Sequence, residues 1–117
     1  MHPKNSHRLR RSEDFAQLKA EGRITKHPLL TLSSRKNGLF VSRYAVITPK
    51  HLGKAVQRNR IRRQVKEIIR HLYPRLQGGF DVVVIVRHRA MAESFGAISH
   101  ALNVLLSRAG LLIKDDR

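Results

Sequence analysis

Residues 54–73 read KAVQRNRIRRQVKEIIRHLY. Ile61, Val65, Ile68, Ile69 and Leu72 recur at the helical spacing i, i+4, i+7, i+8, i+11, which gathers them on one side of an α-helix. The spacing predicts a long helix from about Lys54, after the turn that Gly53 allows, to near Tyr73, because Pro74 disfavours helical backbone in the residue before it. The flanking segments are strand-like. Leu39 to Thr48 carries Val41, Tyr44, Val46 and Ile47 and ends at Pro49, and Phe80–Val86 reads FDVVVIV after the Gly78-Gly79 turn. A nearly continuous apolar run of that kind is expected of a central strand covered on part of both faces. Strand, helix and strand make a βαβ passage.

Towards the N-terminus, Ser12 is a good N-cap, Glu13 and Asp14 meet the helix dipole, Phe15 and Leu18 share a face, and Gly22 is a natural end. These features predict a short helix from Ser12 to Glu21. Ile24 and Thr25 are strand-like up to Pro28, and Leu29–Ser34 (LLTLSS) is a further strand. Asn37-Gly38 predicts a hairpin joining that strand to Leu39–Thr48. Towards the C-terminus, Arg87-His88-Arg89 forms a basic loop. Ser94 caps a last helix to Ala109, with Phe95, Ile98, Ala101, Leu102, Leu105 and Leu106 as its apolar stripe and Gly110 closing it. The expected order is α-β-β-β-α-β-α, an α+β fold built as a two-layer α-β sandwich over a small mixed sheet. One domain spans 1–117, with residues 1–11 a basic arm and 111–117 a frayed tail.

Charge narrows the function. The chain has 117 residues with 24 Lys and Arg against 8 Asp and Glu, a net charge of +16. Such self-repulsion is tolerable mainly beside a polyanion. There is no cysteine, so no disulfide framework or thiolate site is available. That suits a cytoplasmic setting. The longest apolar run, Val82–Val86, is far short of the ~20 residues needed to span a membrane, and no apolar stretch follows the basic N-terminus, so neither a membrane partner nor a secretory signal is expected. No acid lies between Glu21 and Glu67, and this block of cations reads as a binding surface.

The long helix carries the densest part of that block. Arg58, Arg62 and Lys66 follow one another at i, i+4, i+8, as a ladder drifting from the edge of the apolar stripe onto the open face. Asn59, Arg63 and Arg70 lie farther round, and Arg60 projects the other way. Guanidinium groups form two-pronged bonds to phosphate, and Asn59 can address a base edge or sugar. Ordinary solvated faces interleave Glu with Lys and Arg, whereas the first acid here is Glu67. Lys50, His51 and Lys54 precede the helix, where its N-terminus suits phosphate; solvated loop charges are the competing reading. Phe15 either stacks on a base or packs on the sheet, and its chemistry alone favours packing. No DxD, HxH or HExxH pattern occurs, the histidines are scattered, and no Gly-x-Ser-x-Gly context supports a nucleophile. No catalytic residue and no metal ligand set is expected in the chain, which reads as a binder of RNA or DNA.

Gly53-Lys54-Ala55-Val56-x-Arg58-Asn59-Arg60-Ile61-x-Arg63 resembles the signature of the bacterial ribonuclease P protein component. Leu9-x3-Glu13-Asp14-Phe15 resembles that family's opening helix, Gly22 its end, and Phe80–Ile85 its last strand, so the resemblance covers about residues 7–112. It implies a partner RNA that performs the cleavage maturing the 5′ end of transfer RNA, with Mg2+ held mainly by that RNA and none bound tightly by the protein. It further implies a left-handed βαβ crossover, binding of the precursor tRNA 5′ leader, and no obligate protein partner. By the same resemblance Arg58, Asn59, Arg60, Arg62, Arg63 and Lys66 contact the catalytic RNA; Lys50, Lys54 and Arg70 are expected to add RNA contacts from their charge and position beside that segment. Phe15, Lys19, Ser33, Arg58, Arg62 and Lys66 border the leader cleft, which moves Phe15 towards stacking. The sequence departs from the commoner pattern: Lys19 and Ser33 stand where aromatics are frequent, and Pro49-Lys50-His51 replaces a Ser-Lys-Lys run. A more basic, less aromatic cleft is expected to hold the leader through phosphates, with weak base preference and steep salt dependence. The alternatives are a non-catalytic ribosomal RNA-binding protein and a DNA-binding helix module, the latter lacking a spare apolar seam for a dimer.

Overall fold

The computed structural model describes residues 22–113. The expected helix Ser12–Glu21, with Phe15 and Lys19, and the basic arm lie outside the described residues. Within them run β1 (Arg23–Lys26), β2 (Leu30–Lys36), β3 (Arg43–Ile47), α1 (Ala55–Leu72), β4 (Phe80–Val86) and α2 (Phe95–Arg108). Short 3-10 turns occupy Lys50–Leu52, Tyr73–Arg75 and His88–Ala92. The mixed sheet has the order β1-β2-β4-β3, with β4 antiparallel to β2 and parallel to β3.

The helices arise where the periodicity places them. All five stripe residues of α1, Ile61, Val65, Ile68, Ile69 and Leu72, are buried. In α2 the Ser94 hydroxyl accepts a hydrogen bond from the Ala97 N–H, and Ile98, Ala101, Leu102, Leu105 and Leu106 are buried. Both helices cover one face of the sheet, packing against Leu30, Leu32, Tyr44, Val82, Val84 and Val86. Alternation sends Val83 to the other face, where it is buried with Ala45 and Ile85 packed against it. β4 is thus the central strand that its apolar run requires.

Three expectations need correction. Asn37-Gly38 does not close a hairpin between β2 and β3, because β4 lies between them. The Asn37 side chain explains the difference. Its Oδ1 accepts from the Leu39 N–H at 2.7 Å, and its Nδ2 donates to the Val41 carbonyl at 3.1 Å and to Asp81 Oδ1 at 2.9 Å. These bonds hold residues 37–42 as a wide loop, and β3 starts only at Arg43. The antiparallel hairpin is β1–β2 instead, turning through His27, Pro28 and Leu29. Second, Phe95 stands 46% exposed rather than joining the α2 stripe. Third, the tail does not fray from 111. Leu111 is fully buried, its carbonyl accepts from the Gln77 N–H at 2.7 Å, and the Ile113 N–H donates to the Arg75 carbonyl at 2.8 Å.

Candidate nucleic-acid interface

The route from β3 into α1 builds the basic surface. After Thr48 and Pro49 the chain makes the Lys50–Leu52 turn, whose Leu52 is buried and whose Lys50 and His51 are exposed. Gly53 then takes φ 143°, a conformation that side-chain-bearing residues rarely adopt. The Lys54 N–H donates to Gln57 Oε1 at 3.1 Å, which satisfies one of the bare donors at the helix start. No acid lies in the first turn. The positive end of the helix dipole and the side chains of Lys50, His51 and Lys54 therefore act in the same sense on an anion.

Along α1 two of the ladder residues are braced. Arg58 Nε donates to the Gly53 carbonyl at 3.1 Å. Arg62 Nη2 donates to Thr48 Oγ1 and its Nη1 to Asn59 Oδ1, the latter at 3.0 Å. Thr48 is buried at the end of β3, so Arg62 is fixed to the sheet while part of its fork stays open. Asn59 keeps its amide donors for other partners. Asn59, Arg60, Arg63 and Lys66 are exposed. A guanidinium held this way loses less rotamer freedom on meeting a phosphate than a free one does.

Arg70 differs from the rest. Its Nε and Nη2 engage Glu67 at 3.0 and 2.6 Å, and His71 Nε2 approaches the same carboxylate at 3.0 Å. The hydrogen bond from Arg70, with the charges of Arg70 and His71, holds the Glu67 carboxyl below its ordinary value. Arg70 is thus partly neutralised by the acid that ends the acid-free block. Ser33 lies across the sheet from these residues, in a row with Ile24, Val83 and Ala45 on the face away from the helices. The structure therefore groups Lys50, Lys54, Arg58, Asn59 and Arg62 closely, extends the surface to Arg60, Arg63 and Lys66, and sets Ser33 apart. Thr48 and the Gly53 carbonyl are brace points that the sequence does not announce, since each acts only once α1 lies beside β3.

Among the described residues no three of His, Asp and Glu come together as a metal site, and no helix among them is long and apolar enough to cross a membrane. The buried carboxylate, Asp81, is occupied by Arg43 and Asn37.

Comparison with known proteins gives a consistent picture. Residues 3–110 match the family model described as Ribonuclease P. The chain is 40% identical over 114 residues to the ribonuclease P protein component of Roseiflexus sp. (strain RS-1), covering 97% of this chain and 93% of that one. The RNase P protein from Thermotoga maritima superposes with a TM-score of 0.80 at 33% identity, covering 86% of this chain and 96% of that one. The Staphylococcus aureus RNase P protein gives a TM-score of 0.86 at 23% identity, covering 92% and 98%, which speaks to the fold.

Proposed function

The chain belongs to the ribonuclease P protein family, and from that membership we propose that it binds the catalytic RNA of ribonuclease P and the 5′ leader of precursor tRNA in the cytoplasm, promoting 5′ maturation. The observation that carries this reading is the acid-free start of α1, where Lys54, Arg58, Asn59 and Arg62 are presented with two guanidiniums braced by Gly53 and Thr48. Arg58, Asn59, Arg60, Arg62, Arg63 and Lys66, with Lys50 and Lys54, contact the catalytic RNA. Arg70 contributes less while Glu67 holds it. By the same membership Phe15, Lys19 and Ser33, with Arg58, Arg62 and Lys66, are assigned to the leader.

Cleavage is assigned to the RNA, and Mg2+ to the RNA as well. The protein's part is electrostatic. It neutralises phosphates that must approach one another in the folded RNA and holds the leader near the RNA's active site.

The test is cleavage of precursor tRNA by the catalytic RNA at low Mg2+, with and without the protein. The protein should restore cleavage, and Arg58→Ala with Arg62→Ala should weaken that rescue and lower the salt slope of RNA binding by about 1 per lost phosphate contact. Cleavage unchanged by the wild-type protein overturns the reading. Binding to ribosomal RNA without that rescue favours the ribosomal alternative.

A further inference from the structure

Cations also gather at the other edge of the sheet. The β1–β2 turn exposes two successive backbone carbonyls, and an arginine from a different element reaches each. Arg87, which follows β4, donates Nη1 to the His27 carbonyl at 3.3 Å, and Arg108, the last residue of α2, donates Nη1 to the Lys26 carbonyl at 3.5 Å. His100, two turns earlier on α2, faces the same turn. Burial, then the charges of Arg108 and His100, hold His27 below its ordinary value. Three separate elements thus bring four cationic or protonatable side chains, His27, Arg87, His100 and Arg108, to one short segment, while Lys26 contributes its carbonyl and turns its side chain to the other face with Ile24 and Thr31.

A purely structural stitch does not account for the group. Both arginine bonds are long, and each uses one of five guanidinium donors. Arg87, His100 and Arg108 are exposed. β1, β2 and α2 contain no Asp or Glu, and no carboxylate among the described residues pairs with any of the four. The C-terminal dipole of α2 favours Arg108, but it gives no reason for Arg87. Concentrated, unpaired positive charge with oriented forks is what a phosphodiester requires.

The position separates this cluster from α1. α1 packs on β3, whereas α2 packs on β2 and β1. β1 and β3 are the two edges of the sheet, about 14 Å apart at three strand spacings. We infer that Arg87 and Arg108, with His27 and His100 beside them, form a second phosphate-binding site for the backbone of an RNA segment separate from the one on α1. The inference rests on the proposed RNA partner and adds to it that the protein ties two RNA segments together.

The test compares wild type with Arg87→Gln/Arg108→Gln for binding to the catalytic RNA across a salt series, with hydroxyl-radical footprinting of the same complexes. The log–log salt slope should become shallower by about 2. One protected RNA segment should be lost while the segment protected through Arg58 and Arg62 remains. An unchanged slope and footprint, with Arg58→Ala/Arg62→Ala still effective, overturns the site and leaves the RNA partnership standing. Wild-type protein that fails to bind the RNA overturns both. Thermal stabilisation of wild type alone by inorganic phosphate, without any change in RNA slope, assigns the cluster to a free anion and overturns the RNA site. Should the double variant unfold, Arg108→Gln alone removes only the longer of the two bonds to the turn and should lower the slope by about 1.

Discussion

Arg43 and Asp81 are register partners on the neighbouring parallel strands β3 and β4, and the Arg43 guanidinium grips both carboxylate oxygens, Nε to Oδ1 at 2.8 Å and Nη2 to Oδ2 at 2.7 Å. Asp81 is fully buried, and Asn37 Nδ2 supplies a further bond to it. The pair therefore holds β3 against β4 at the end where the 37–42 loop enters. Arg43→Met leaves the carboxylate buried without its charged partner, which should cost about 3–5 kcal/mol in urea denaturation. Arg43→Lys keeps the charge but loses the fork and should cost less. A loss for Arg43→Met no larger than that of an exposed substitution sinks this account.

Gly78 packs face to face with the same loop. A Cβ built there would meet the Phe40 carbonyl oxygen at 2.4 Å, a backbone atom that cannot swing away. Gly78→Ala should destabilise by about 1–3 kcal/mol. Gly96 provides the contrast, since its Cβ would meet nothing closer than Ser94 Oγ at 3.9 Å inside α2. Gly96→Ala should be stabilising by up to about 1 kcal/mol. Thermal melts of both variants decide, and equal shifts would contradict the packing argument.

Tyr44 and Tyr73 meet edge to face with centroids 5.9 Å apart, yet their hydroxyls differ. Tyr73 donates to the Ser42 carbonyl at 2.8 Å, whereas the Tyr44 hydroxyl is buried without a hydrogen-bond partner among the described residues. Tyr73→Phe should cost about 1 kcal/mol, and Tyr44→Phe should be neutral or mildly stabilising. Burial, with Tyr73 adding, raises the Tyr44 hydroxyl above its ordinary 10.0. Above that pH the unfolded chain loses this proton while the folded chain keeps it, so wild-type stability falls there. Tyr44→Phe should reduce that alkaline loss, as denaturation at a series of pH values will reveal.

Glu67 is the acid that interrupts the basic face of α1. Glu67→Gln frees Arg70 and removes a negative charge beside the RNA, so RNA affinity should rise by about 2–5-fold at low salt and less at high salt. The hydrogen bond from Arg70 lowers the carboxyl from its ordinary 4.5. Its contribution to stability is accordingly present above that value and lost as pH falls through the lowered one. Near neutral pH wild type and variant should differ in binding, and the gap should close once Glu67 takes up its proton. Equal binding at neutral pH would place Arg70 and Glu67 outside the interface, and tighter binding by wild type would contradict the charge argument.

Local patterns were legible because their causes are local. The stripes of α1 and α2 are set by a repeat that every residue shares with neighbours three and four away, and Ser94 caps through the Ala97 N–H three residues on. The acid-free block and the segment Gly53–Arg63 could be read without knowing what packs where. Phe95 misled for a related reason: periodicity admits it to the stripe, but at the first turn of α2 the sheet no longer covers it.

Sequence alone thus determined the helices, the central strand, the sign and concentration of charge and the family signature. Tertiary structure decided which strands are neighbours, with β4 entering between β2 and β3 and overriding the turn signal of Asn37-Gly38. It also decided what anchors the basic side chains of α1, Thr48 for Arg62 and Gly53 for Arg58, and it brought Arg87 and Arg108 to the β1–β2 turn from two other elements. The physical reason is that strand pairing and side-chain bracing depend on groups tens of residues apart. Only burial of the shared core selects among those distant pairings, and no local propensity encodes the choice.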